Sequence, residues 1–157
     1  MVFDTRSERL TDSWISLNGT LNNCAGGVTP WGPWLSYEEG PVTPELMHLG
    51  TERRQKYWHH EQAQKPHGFV FEVHPEGELN PQPIVGMGQF YHEAATVVPE
   101  TGTVCLTEDR APYAGLYRYL PDEPGNLHAG GKLQMLAVKG HAELIKSVPK
   151  DLPLPVG

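Results

Sequence analysis

The sequence predicts an all-β fold of antiparallel strands, and three observations carry that reading. Glycine and proline, 17 and 15 of 157 residues, make up about a fifth of the chain, less than low-complexity disorder holds but too much punctuation for a helical bundle. Short apolar or alternating runs recur along the chain, each flanked by turn residues, which is the signature of brief strands. Between several of them stand Pro-Glu-Gly, Pro-Glu-Thr-Gly and Pro-Gly sequences with hairpin-turn chemistry.

Taken in order, the expected strands are Trp14–Leu17, Trp31–Tyr37, Gly68–Val73, Ile84–Tyr91, Val104–Thr107, Leu116–Leu120 and Lys132–Val138. In HGFVFEVHPEGE, Phe69, Phe71 and Val73 alternate with Val70 and Glu72 before the turn at Pro75-Glu76-Gly77. VVPETGTVCL reads as strand, turn, strand, and GLYRYLPDEPGNLHAGGKLQMLAV as the next hairpin, so successive hairpins make a meander. One segment departs from the pattern. Residues 43–66 are polar, and Thr43-Pro44 suits the first positions of a helix, so a partly helical surface insertion is expected there, with the His59-His60 pair facing water. The segments ending in FVFEV, CLTED, LYRYL and LQMLAV look like equivalent strands of four-stranded units. Propeller blades, an open meander and half of a sandwich all give that pattern.

Charge narrows the range of partners. Twelve Lys+Arg against 19 Asp+Glu give a formal charge of -7 with no basic stripe, which removes the electrostatic term that dominates nucleic-acid binding. No window approaches the ~18 apolar residues of a membrane-spanning helix, and MVFDTRSERLTDSW holds no apolar run of signal-peptide length. As written, the chain reads as soluble and unexported. Cys24 and Cys105 lack CxxC partners, so one disulfide or two free thiols both fit the sequence.

The candidate chemistry is acidic and thiolate. Glu38-Glu39, Glu93 of His92-Glu93, and Glu108-Asp109 lie at turn-flanked strand ends, where converging carboxylates make a hard oxygen cage of the kind Ca²⁺ or Fe³⁺ prefers. Cys24, between Asn22-Asn23 and Gly26-Gly27, reads as part of a tight turn whose N–H groups, or a metal, would stabilise a thiolate. Cys105, inside the run VCL, reads as core. The nucleophile elbow, phosphate-binding loop, zinc-protease and dinucleotide motifs are all absent.

NNCAGGVTPWGPWLSYEE resembles the signature of the PhoX-type alkaline phosphatases, and HGFVFEV, IVGMGQFYHEAATVVPETGTVCLTEDR and GLYRYLP with GGKLQMLAVKG follow in that family's order. The resemblance implies a β-propeller exported by the twin-arginine route to the periplasm or beyond, which hydrolyses phosphate monoesters with a cluster of iron and calcium ions. Carried over by motif, Cys24 would be the Fe³⁺-binding thiolate, Glu38 and Glu39 would face the cluster, and Glu93 would be a carboxylate ligand. Glu108 and Asp109 would bind Ca²⁺ or frame the site. Pro33, Tyr37 and Gln89 depart from the family's usual residues, Gln89 standing where arginine would offer a bidentate phosphate donor.

Family members are several hundred residues long. The chain of 157 is therefore expected to be a single partial propeller domain over residues 1–157, incomplete at both ends and covering about two blades. Open blade faces would favour self-association, and part of the ligand set would lie outside the chain, leaving it inactive alone. A calcium-stabilised binding or interaction module without catalysis is the second reading.

Overall fold

The computed structural model describes residues 1–41, 65–77, 82–110, 114–137 and 139. The described residues form nine strands in three antiparallel sheets: β1 (Val2–Asp4), β2 (Arg9–Asp12), β3 (Asn23–Val28), β4 (Trp34–Glu38), β5 (Val70–Val73), β6 (His92–Val97), β7 (Val104–Glu108), β8 (Leu116–Glu123) and β9 (Asn126–Met135). The sheet orders are β1-β2, β3-β4-β5 and β6-β7-β8-β9. The all-β antiparallel expectation therefore holds. The insertion expected over residues 43–66, with its His59-His60 pair, lies outside the described residues except for its last two positions.

The β6–β9 meander forms where turn chemistry is strongest. Gly102, at φ +69°, lets the Pro99–Gly102 turn close, with the Gly102 N–H donating to Val98 O at 2.9 Å. Gly125 does the same at φ +84° between β8 and β9. In the smaller sheet the Thr29–Pro33 loop joins β3 to β4, its Thr29 N–H and hydroxyl both donating to Pro33 O, at 3.0 and 2.7 Å.

Alternation puts one face of each sheet into a single core. Leu35 and Tyr37 of β4 and Val70 of β5 join Ala95, Val97, Val104, Leu106 and Tyr119 of the meander, with Ile84, Met87, Phe90 and Leu127 completing the cluster. Fully burying one such side chain stabilises the fold by roughly 1.5–3 kcal/mol. A buried polar tie crosses the core, as the Ala95 N–H on β6 donates to the Tyr37 hydroxyl on β4 at 3.0 Å.

Three local expectations are corrected, and one hairpin was not anticipated. Trp14–Leu17 has no strand pairing; the Trp14 ring instead covers Gly77, where an added Cβ would lie 2.6 Å from it. Ile84–Tyr91 is not a strand but a 3-10 turn at Val85–Met87 followed by bends, because Gly88 at φ +85° turns the backbone and Gly86 accepts the close Tyr119 ring. The hairpin β1-β2 escaped notice because its turn lacks Gly or Pro; Asp4 builds it, accepting from Arg6 N–H at 2.9 Å and Ser7 Oγ at 2.6 Å. Asn22–Gly27 is not a tight turn but leads into strand β3, whose register against β4 slips between Asn23 and Gly26.

That last difference positions the site. Gly26 and Gly27 allow close approach rather than a turn: a Cβ on Gly27 would stand 2.4 Å from Ala95 O, so only glycine lets β3 lie directly against β6. The two sheets meet along these strands.

Candidate metal centre

Three side chains converge where β3, β4 and β6 meet. The Cys24 thiol and one carboxylate oxygen each from Glu39 and Glu93 all lie within 4.8 Å of one another. Each reaches this point through an irregularity. Cys24 sits in the slipped register of β3, and Glu93 in a matching slip between His92 and Ala94 on β6, as bulges re-aim side chains at functional edges. Glu39 follows the end of β4, held by a bridge to Tyr91 and by Asn22, whose carbonyl accepts from Glu39 N–H at 3.0 Å and whose Nδ2 donates to Glu39 O at 2.7 Å. Asn22 adopts the left-handed φ of +52° to do so.

The three side chains bear on one another electrostatically. The Cys24 thiol is pushed up from its ordinary pKa by partial desolvation and then by the Glu93 and Glu39 charges. Tyr37 is also pushed up, chiefly by burial with Glu93 and Cys24 adding, against the lowering by the Ala95 N–H. A bound cation reverses this effect on a thiol, which it deprotonates outright. A spacing within 4.8 Å suits donors of one first-row transition ion with bonds of about 2.0–2.3 Å. Thiolate with carboxylate suits such an ion; calcium takes oxygen donors only. The donor set fits iron.

The other residues singled out from sequence stand elsewhere. Glu38 is fully buried and turned away from the three, its oxygens accepting from Leu21 N–H at 2.8 Å, Gly68 N–H at 2.6 Å and Phe69 N–H at 3.1 Å, beside His67 Nδ1 at 2.6 Å. Burial alone would raise its pKa, but the His67 and backbone hydrogen bonds outweigh it and hold the carboxyl below the usual range. Glu108, paired in register with His92, accepts from the Tyr117 hydroxyl at 2.7 Å; burial and this carboxylate push Tyr117 up to about 12. Asp109 is exposed and tied by its N–H to Tyr91 O at 3.0 Å. Neither joins the Cys24 group. Gln89 donates to His67 O at 2.7 Å.

Cys24 and Cys105 are both free thiols. Cys105 does not sit in the core but lines a cavity of about 530 Å³ with Leu116, Tyr117, Arg118, Gln134 and Met135. That cavity contains no carboxylate and shares no residue with the metal-type group. Asn22 was singled out beside Cys24, but as part of a turn and not as the clamp on Glu39. His67, which meets Glu38, was not singled out; its only signal is that it heads HGFVFEV.

An all-β chain with a thiol and two carboxylates gathered at the seam of two antiparallel sheets offers a donor set of metal-binding type. The chain is a member of the PhoX alkaline phosphatase family: the family model described as "Alkaline phosphatase PhoX" matches residues 3–152. No curated protein and no solved structure matches the chain.

Proposed function

We propose that Cys24, Glu39 and Glu93 hold Fe³⁺ as part of a PhoX-type centre that hydrolyses phosphate monoesters. The observation that carries this reading is the convergence of the three donors within 4.8 Å from separate strands of two sheets. Three anionic donors balance the charge of a trivalent ion. The bound ion would act as a Lewis acid on phosphate oxygens. The chain's own part is to keep the three donors together and to shape their setting. Tyr37 is buried beside them, its hydroxyl held by the Ala95 N–H, and Gly27 keeps β3 against β6. Calcium is assigned to oxygen-only donors, with Glu108 and Asp109 the candidates in this chain.

The architecture proposed for the centre is a pair of adjacent propeller blades within a single partial domain. In support, β6–β9 is a four-stranded meander, β3-β4-β5 gains a fourth member through the isolated bridge Phe71–Pro83, and the first strands of the two units touch. Iron loading tests the reading. The purified chain, supplied with Fe³⁺ and Ca²⁺, is expected to bind one iron and to gain a visible thiolate-to-iron absorption that Cys24→Ser abolishes. Any hydrolysis of p-nitrophenyl phosphate is expected to vanish in Cys24→Ala. Calcium uptake without iron would contradict the proposal and favour a binding module.

A further inference from the structure

Glu38 is next in sequence to a proposed ligand, yet it is spent wholly on the protein. We propose that Glu38 is the positioning residue of the Cys24, Glu39 and Glu93 group, the buried hub that holds the three ligand-bearing segments in one arrangement; this rests on the functional reading above.

The three segments meet on its carboxylate. Oε1 accepts from Leu21 N–H at 2.8 Å, three residues before Cys24, and lies 2.6 Å from His67 Nδ1. Oε2 accepts from Gly68 N–H at 2.6 Å and Phe69 N–H at 3.1 Å. The His67–Phe69 segment passes the constraint on toward Glu93: His67 O accepts from Gln89 Nε2 at 2.7 Å, and Gly68 O accepts from Phe90 N–H at 3.2 Å. Phe90 lies three residues before Glu93. The third ligand, Glu39, is the next residue along the chain. Glu38 thus has a short covalent or hydrogen-bonded route to every donor.

The residue type follows from the geometry. Four donors converging on one fully buried side chain require two acceptor oxygens. Glutamine has one, and its NH₂ would face an N–H. A buried charge is costly unless hydrogen-bonded throughout, and here it is. Glu38 touches none of the three donors, so its influence is on their placement. Supporting groups of this kind commonly alter metal affinity about 10- to 100-fold when changed.

The test is Fe³⁺ titration of the intact chain, followed by the thiolate-to-iron absorption, in wild type, Glu38→Gln and Leu127→Ala. Leu127 is buried on β9, so its truncation lowers stability without touching the ligand-bearing segments. Glu38→Gln is expected to weaken iron binding about tenfold or more with a wild-type circular dichroism spectrum, while Leu127→Ala binds as wild type despite an equal or larger loss in Tm. Wild-type affinity in Glu38→Gln would overturn the inference, as would an affinity loss in Leu127→Ala that tracks Tm equally. Should Glu38→Gln fail to fold, His67→Phe, which removes one donor and keeps the backbone contacts, is read by the same criterion with about threefold weakening expected. A wild-type chain that binds no iron would sink the functional reading and this inference together; normal wild-type binding with an insensitive Glu38→Gln would sink this inference alone.

Discussion

The two main sheets solve different problems with the same antiparallel pairing. The β6–β9 meander runs nearly in register through three consecutive hairpins and supplies Val97, Val104, Leu106 and Tyr119 to the core. The β3-β4-β5 sheet is shorter, slips its register beside Cys24 and needs a left-handed Asn22 next to it. It buries polar groups, with Glu38 and His67 at one end and Glu72 toward the other all shielded from water. Regular pairing stabilises the fold, and the irregular positions at the seam, the slip beside Cys24 on β3 and the slip at Glu93 on β6, carry the candidate donors. Strain and buried charge concentrate where ligands are placed.

The sharpest way to break this division is to cut the regular side. Leu106→Ala leaves a cavity in the meander and is expected to cost about 2–5 kcal/mol, read by urea unfolding, with iron affinity per folded molecule unchanged. Acid should act on the polar side. His92, fully buried, has its pKa lowered to about 4, mainly by burial, with the Gly88 carbonyl, the Glu38 charge and the Gly68 carbonyl opposing. Its folded pKa lies below the unfolded value of 6.5, so the unfolded chain takes up the proton first. The stability it contributes is complete above pH 6.5 and falls away toward pH 4, by a total of order 3 kcal/mol. Glu38, also lowered, adds a loss below its unfolded value of 4.5 as pH falls through its folded one. Urea midpoints measured across this range should slope in wild type and flatten between pH 6.5 and 4 in His92→Leu.

At the seam, Gly27→Ala would drive a methyl into the Ala95 carbonyl and is expected to cost about 1–3 kcal/mol while weakening iron binding by parting Cys24 from Glu93. A loss of stability with unchanged iron affinity would show that close β3–β6 contact is not what assembles the site. The smallest effect is expected at the outlying hairpin, where Glu8 holds φ +52°. Glu8→Gly should raise stability by at most about 1 kcal/mol, since glycine enters that region without a Cβ clash, and should leave the metal-type group untouched.

The meander was legible because its signals are local: Pro-Glu-Thr-Gly and Pro-Gly name their turns, and VCL and LYRYL name their strands. The seam was less so. Gly26-Gly27 advertises an unusual backbone, but sequence does not distinguish a tight turn from a strand crowded by another sheet, since both need a missing Cβ. Cys24, Glu39 and Glu93 were all singled out, though their convergence depends on β3 meeting β6, a contact between segments about 70 residues apart that no local pattern encodes. Glu38 and Glu39 looked equivalent as a pair. Alternation at a strand end turns adjacent side chains to opposite sides, and only the position of the His67–Phe69 amides decides which one is buried.

Iron binding at this seam is proposed to depend on Cys24, Glu39 and Glu93 acting as one group. X-ray absorption at the iron edge of the Fe³⁺-loaded chain tests it most directly. One sulfur neighbour together with oxygen neighbours is expected, and the sulfur should disappear in Cys24→Ser. An iron shell of oxygen and nitrogen alone in the wild type, or a sulfur neighbour that survives Cys24→Ser, would contradict the account.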